Sequence, residues 1–478
     1  MKDKFGYLLE KLDFALFFCL GMAIIAVPFW DSIVSWKILG GTGKQLSFFP
    51  LLLLILLGFA KILLVRKFLL PYSSKSFLCI ALFMLVVCLS AIVNYDTIAV
   101  TVFKSSFGIE HFAKQILVFM FYMCVSCIVF NMFSIFNARA IPQKLLLLRR
   151  FWYLSCILPI CYCIVEMGNM LHMDACTAIK GFWDMMFRGG TGYWGRLRSV
   201  AAEASYLAPY IAMVFPWIFS GMTSCNKIEK RLCVVFTALL VTIGYFSFSR
   251  TVHIVLLVVL SCCCLMFKDK VCTEWKAYAL CMVLSAISIG SFYGCLCVYS
   301  PDIISYINGM GYETSVTTLA RQDNFSNIAR YASWSAGWEI FKHNPACGVG
   351  FGQYGFYVSE FYPSWAYSSV EIQNWASDDM LVWPPVLNLY IRILAECGIL
   401  GFLCWLMFLV FLVGEICSLR KRVLHKVVIY DYAMCMLAGI IGISINGFSY
   451  DSFRLAPLWI YVGIVWALSA SRTDMDEG

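Results

Sequence analysis

The 478-residue chain is 61% hydrophobic and only 13% charged, with a mean hydropathy of +0.80. A soluble domain is about 45–50% apolar and about 25% charged, so this composition excludes a disordered chain and a soluble enzyme built on one core. It describes a polytopic membrane protein, because a helical span takes about 20 mostly apolar residues.

Twelve apolar runs follow one another: 14–30, 47–65, 76–94, 115–134, 151–171, 201–221, 232–249, 251–267, 277–299, 398–418, 427–446 and 454–470. They predict an all-α integral membrane protein of about twelve transmembrane helices. The first run lacks a small-residue cleavage site and continues as Pro28-Phe-Trp, so it reads as a span and not a removed leader. Runs seven and eight meet at Phe248-Ser-Arg-Thr251, a very tight connection. The 23 Cys sit mostly inside apolar runs, as at Cys262, Cys263 and Cys264, where they act as small hydrophobes. Cys124 and Cys127 are likewise placed within a span. Lys61, Glu166 and Asp431 also fall within runs; Lys61 is near enough to the inner end to snorkel, and the two acids lie near span ends.

Sidedness follows from Lys and Arg in the short loops. With a cytoplasmic N-terminus, 21 of the 36 fall on inner segments. Both termini come out cytoplasmic. The net charge of +8 is therefore mostly topological and not a nucleic-acid footprint. Fourteen fall outside, and eight of these are Arg: 188, 196, 198, 250, 321, 330, 392 and 454.

The organisation is residues 1–299 with nine spans, a large outer loop at 300–397, and residues 398–478 with three spans and a short inner tail. Loops much beyond about 15 residues are usually functional or disordered. This one is rich in aromatics, including Trp334, Trp338, Trp365, Trp375 and Trp383, which argues against disorder. Residues 328–342 predict an amphipathic helix, with Tyr331, Trp334, Trp338 and Phe341 on one stripe. That stripe reads either as a sugar-stacking lid or as part of an aromatic belt at the membrane interface. Pro345 follows, then the glycine-rich Gly348-Val-Gly350-Phe-Gly352, a weak nucleotide signal because no strand precedes it.

Four outer segments carry a resemblance. They are Arg198-Ser-Val-Ala-Ala-Glu203-Ala-Ser205; Ser247-Phe-Ser-Arg250-Thr; Arg330 to Trp334 with Pro345 to Gly352; and Asn388 followed, after nine intervening residues, by Gly398-Ile-Leu-Gly401. Together they resemble the bacterial O-antigen polymerase/ligase family of membrane glycosyltransferases. Ala204 stands where that family often has Pro, and Leu387 where its ligases usually carry His. The second departure favours a polymerase.

The resemblance implies a glycosyltransferase C-like helical fold in the bacterial inner membrane, with a periplasmic site. It implies transfer of a growing glycan from a polyprenyl pyrophosphate onto a lipid-linked repeat unit, with membrane lipid and a chain-length regulator protein as partners. A pyrophosphate leaving group needs stabilisation more than protonation. Arg supplies it, being always charged and able to fork onto phosphate oxygens. Arg198, Arg250 and Arg330, all in matching segments, are the candidates; the plainer reading of each is loop or interface charge. Glu203 reads as the acceptor's base or as a partner orienting Arg198 or Arg250. Asn388, Arg392 and Glu396 are spaced four apart and share a helix face, as substrate contacts or, for the last two, as an i,i+4 pair. Trp334, Trp338, Gly348 and Gly350 are further substrate-contact candidates. His253, one turn below Arg250, and His343, near Pro345, complete that set; the first also reads as a packing residue and the second as solvent-exposed. Asp378 and Asp379 are weaker base candidates, and Asp451 and Arg454 read as a pair across the last outer turn. No outer Asp-x-Asp stands out, so neither metal nor cofactor is expected. A ligase of the same family is the alternative. A lipid-linked-oligosaccharide flippase is the alternative from another class; the long aromatic loop and the outer arginines favour an enzyme.

Overall fold

The computed structural model describes residues 2–30, 42–135, 140–188, 195–224, 226–305, 308, 325–422 and 427–470. Arg321 lies outside the described residues. Among the described residues, apart from a two-stranded hairpin at Val102–Phe107, every regular element is helical. Each of the twelve apolar runs lies on a helix: Lys2–Ile25, Phe48–Val65, Lys75–Val93, Gly108–Ile135, Ile141–Met170, Leu207–Gly221, Lys227–Phe246, Arg250–Met266, Trp275–Tyr299, Leu389–Arg422, Val427–Asn446 and Ala456–Ala470. Seven of them are long and apolar enough to cross a membrane, and Arg250–Met266 and Ala456–Ala470 are apolar but shorter. The chain is an all-α integral membrane protein. Helices suit this solvent because each backbone group is paired within its own segment.

Burial separates central helices from peripheral ones. Every residue of Leu207–Gly221 is buried, as is Ala456–Ala470 up to Leu468. Helices apolar on all sides and enclosed by protein form the middle of the bundle. There Trp152 stacks on Trp217 at 6.3 Å, and Trp217 contacts Tyr432 and Tyr461. Trp275–Tyr299 instead buries only five residues and turns Leu280, Met282 and Ile287 outward, as a lipid-facing helix does. Cys124 and Cys127 stand on the helix Gly108–Ile135 and are free thiols.

The charges inside the runs are paired. Lys61 is buried against Asp13 and does not snorkel. Its ammonium finds a counter-ion one helix away, which removes the reason to reach for water. Asp431 bonds Lys270. Glu166 bonds Arg188, an outer residue that is itself wholly buried.

The described part of the large loop has its own small core. The helix Phe325–His343 packs Ala329, Ala332, Ala336 and Ile340 inward, against Tyr354, Val358 and Ile372. The aromatic stripe takes the opposite face, with Trp338 47% exposed. Shorter helices follow at Tyr354–Phe361 and Val370–Ala376.

Two segments fasten this loop to the membrane helices. The helix Leu389–Arg422 begins well before the run at 398 and passes through a break at Gly398, where φ is +64°. Residues 345–350 lie alongside that break. Val349 and Gly350 N–H donate to Ala395 and Glu396 C=O, each at 3.0 Å, and Ile399 N–H donates to Pro345 C=O at 2.8 Å. Ser90 Oγ donates to Cys347 C=O at 2.6 Å and Asn94 Nδ2 to Gly348 C=O at 3.0 Å. Backbone meets backbone because neither partner has a side chain there: a Cβ at Gly398 would strike the Ala346 carbonyl, and one at Gly348 the Glu396–Cys397 peptide. Both glycines also hold positive φ. Gly398→Ala and Gly348→Ala should each cost at least about 2 kcal/mol, seen as a fall of several degrees in the melting temperature of the detergent-solubilised protein. Gly414→Ala, on the same helix with open space around it, should leave melting unchanged.

Candidate functional site

Three segments are laced together at the end of the bundle that the Lys and Arg distribution of the sequence places outside. Arg196 Nε and Nη2 donate to the Ser247 and Phe248 carbonyls at 3.0 and 3.1 Å, and Leu197 N–H donates to Phe246 C=O at 3.0 Å. Phe248 takes φ +46°, a conformation uncommon for a bulky residue. That turn lets one helix end at Phe246 and the next begin at Arg250. No side chain caps the new helix at Ser249. Its first N–H groups and its dipole therefore face outward at the place where Arg250 stands.

Arg250 Nη2 donates to Asn327 Oδ1 at 2.7 Å, on the loop helix. Arg250 Nη1 is buried with no hydrogen-bond partner. Arg330, one turn beyond Asn327, lies close enough for its charge to be felt at Arg250. It is half-buried and makes no hydrogen bond or ion pair with any described residue. Two like charges with unspent donors thus share one place. The helix Val370–Ala376, packed on the loop helix, brings Glu371 within reach of the Arg330 charge. The side chain of Glu371 stays open to solvent at its edge, yet the protein around it raises its pKa; Arg330 opposes that rise and Glu203 adds to it. Glu203 is exposed, and its Oε1 accepts the Ser205 hydroxyl at 2.8 Å.

Arg198 occupies a different environment. Its N–H and that of Ser199 donate to Glu166 Oε2 at 3.1 and 2.8 Å. Glu166 also accepts from Arg188, which bonds Asp184 at 2.9 Å and lies over the Tyr162 ring at 4.5 Å. Lys180 joins Asp184 at 2.7 Å. The Arg198 guanidinium is buried beside this network, and its Nη1 donates to Ala202 C=O at 2.6 Å. Sequence reasoning missed the network because Glu166 and Arg188 come from separate elements, the helix Ile141–Met170 and the end of an outer helix, Asp174–Phe187, that no apolar run announced.

The four-residue spacing of Asn388, Arg392 and Glu396 does place them along one face, and protein partners take up their polar atoms. Asn388 Oδ1 caps the helix, accepting from Tyr390 and Ile391 N–H at 2.9 and 3.2 Å. Arg392 donates to Glu396 at 3.1 Å, Asp451 C=O at 2.8 Å and Gln115 at 3.2 Å, and it lies over Phe351 and Phe453. Asp451 does not pair with Arg454: its carboxylate accepts Val386 and Leu387 N–H at 2.7 and 3.1 Å, while Arg454 Nε bonds Ser452 at 3.0 Å. The backbone of two adjacent loop residues offers Asp451 a pair of fixed donors, and the half-buried Arg454 turns its Nε to Ser452 instead.

The remaining candidates are dispersed. Trp334 Nε1 donates to Leu387 C=O at 3.4 Å, at a leucine with φ +59°. Trp338 is outward-facing. Gly348 and Gly350 spend their N–H groups on Asn344 and Glu396 carbonyls, each at 3.0 Å, inside the loop fastening. His253 Nε2 is 3.1 Å from Tyr245 C=O, and His343 Nδ1 is 2.9 Å from Glu339 C=O on the exposed side of its helix. Asp378 and Asp379 are exposed, and Asp378 lies nearest in charge to Lys104, whose ammonium holds the Asn374 and Val382 carbonyls at 3.0 and 2.7 Å.

A buried charge left alone is far more costly than a buried pair. Glu166→Leu or Arg188→Met should therefore destabilise the protein by about 3–5 kcal/mol, measured as an earlier thermal transition in detergent. Lys180→Met, at the network's edge, should cost much less.

Residues 235–406 match the protein family described as O-antigen ligase. The matched segment contains Arg250, Arg330, Glu371, Asn388, Arg392, Glu396 and both partners of the glycine fastening; Arg198 and Glu203 precede it. Comparison with curated protein sequences returns no match. Residues 235–406 are thus similar to the O-antigen ligase family, the family that the four sequence segments resemble.

Proposed function

We propose that the protein is a glycan polymerase, which transfers a growing glycan from polyprenyl pyrophosphate onto a lipid-linked repeat unit at the outer face of the inner membrane. The observation that carries this reading is the Arg250–Arg330 pair. Holding two guanidinium groups together costs energy unless an anion joins them. Arg250 keeps a buried, unpartnered Nη1, and Arg330 has all its donors free among the described residues. A pyrophosphate satisfies both, with the uncapped start of the helix Arg250–Met266 adding its dipole. As the anomeric carbon–oxygen bond breaks, negative charge collects on the leaving oxygen. Donors already fixed in place stabilise that charge without reorganising.

The other candidates take supporting parts in this reading. Arg196 and Arg198 hold the 196–200 segment, the first against the Ser247–Phe248 turn and the second beside Glu166. The outward stripe of Tyr331, Trp334 and Trp338 offers rings for sugar faces. Asn388, Arg392, Glu396, Gly348 and Gly350 fix the loop against the bundle, and His253 and His343 lie at its margins. Cytoplasmic termini, a chain-length regulator as partner and metal-independent chemistry complete the proposal. A ligase reading is favoured by the description of the matched family; Leu387, at a left-handed position that suits Asn or His better than Leu, favours the polymerase.

The test uses the purified protein in liposomes, given polyprenyl-pyrophosphate-linked repeat units extracted from the cells that make them. A regular ladder of glycans is expected, unchanged by a metal chelator. Transfer only after a separate lipid acceptor is added would make it a ligase. A charge-assisted hydrogen bond contributes about 1.5–3 kcal/mol. Arg250→Ala and Arg330→Ala should therefore each lower kcat/KM roughly ten- to a hundredfold. Arg330→Lys should recover part of the loss, as a point charge replacing a fork. Unchanged product from both alanine variants would remove the site assignment.

A further inference from the structure

Four elements meet around the Arg250–Arg330 pair, and two carboxylates stand among them. The helix Arg250–Met266 supplies Arg250, and the loop helix supplies Asn327 and Arg330. The helix Val370–Ala376 carries Glu371 in its first turn and packs on the loop helix. Glu203 directly precedes the 3-10 turn Ala204–Tyr206, which packs against the helix of Arg250. The charged groups acting on Glu371 are thus Arg330 from the loop helix and Glu203 from the turn.

The two carboxylates differ in how their oxygens are used. Glu203 accepts the Ser205 hydroxyl. Glu371 makes no hydrogen bond or ion pair with any described residue. Its lone pairs are free among the described residues, it faces solvent at the edge of the cluster, and Arg330, one of the two cations suited to a leaving pyrophosphate, is near enough for its charge to be felt. Neither Asp378 nor Asp379 shares this setting.

Resting on the transferase reading above, we propose that Glu371 is the general base of the reaction. Its carboxylate takes the proton of the acceptor hydroxyl as that oxygen bonds to the anomeric carbon. The bond from that carbon to the pyrophosphate oxygen breaks, and its electron pair departs with the pyrophosphate held by Arg250 and Arg330. The Glu371 carboxylic acid then returns its proton to water. The raised pKa of Glu371 suits this work, since a base is most effective when its pKa approaches the working pH. The activity should accordingly fall on the acid side, at a higher pH than an unperturbed glutamate would give.

The experiment follows the liposome reaction across acid to alkaline pH for the wild type and three variants. Glu371→Gln should lower kcat about 10²–10⁴-fold with KM little changed, and the acid limb of the pH profile should vanish. It should still bind farnesyl pyrophosphate as the wild type does, which a misfolded protein would not. Glu203→Gln should stay active with its acid limb moved to lower pH, because removing a neighbouring negative charge lowers the pKa of Glu371. Glu360→Gln, on the neighbouring loop helix, should match the wild type. Wild-type kcat and an intact acid limb in Glu371→Gln would overturn the proposal, as would loss of the acid limb in Glu203→Gln instead. A wild-type protein that forms no glycan product at all would overturn the transferase reading itself, a separate result.

Discussion

The proposed site depends on one contact between two stretches of bare backbone. Residues 345–350 and 395–400 exchange main-chain hydrogen bonds where Gly348 and Gly398 let the chains approach. The break at Gly398 frees carbonyls and N–H groups that a continuous helix would keep for itself. Such groups are costly near lipid unless something pairs with them. The loop supplies the partners, and Ser90 and Asn94 from a neighbouring helix complete the set. The loop helix, with Asn327 and Arg330, is built onto that fastened base. The glycine run, a substrate-contact candidate in the sequence, is in this respect a joint, because its N–H groups at Gly348 and Gly350 are already spent.

A second constraint is electrostatic. The outer arginines fall into two kinds. Arg188 is buried and Arg392 largely so, and they are paired with Glu166 and Glu396. Removed from water, they need a carboxylate at hand, and they contribute order to the fold more than net stability. Arg250 and Arg330 are placed together without a carboxylate bonded to either. This local conflict between like charges is what a site for a polyanion requires. Natural sequences tolerate such conflicts mainly where function uses them.

The arginines themselves were legible in the sequence, since positive-inside bias makes outer cations conspicuous. Which of them meet was not. Arg198 and Arg250 lie on segments that Arg196 and Leu197 lace together, yet the Arg198 side chain is drawn to the Glu166 network. The aromatic stripe of residues 331–341 was visible as a 3.6-residue period. That it would face outward, with alanines taking the core, followed only from the close approach of the loop helix to Ile391, where Gly337 leaves room. Glu371 carried no sequence signal at all. It is a lone carboxylate in a short helix, and it gains meaning only from the charges that folding sets beside it.

Composition and periodicity by themselves determined that the chain is a helical membrane protein, where its apolar helices run, and that one long ordered loop lies between two of them. They could do so because a bilayer imposes a length and a polarity on every span, and both are properties of contiguous residues. The tertiary structure alone decided which outer charges are spent on each other and which remain open. That choice depends on distances between residues far apart in the chain, such as Arg250 and Asn327 or Arg188 and Glu166, and no local pattern records those distances.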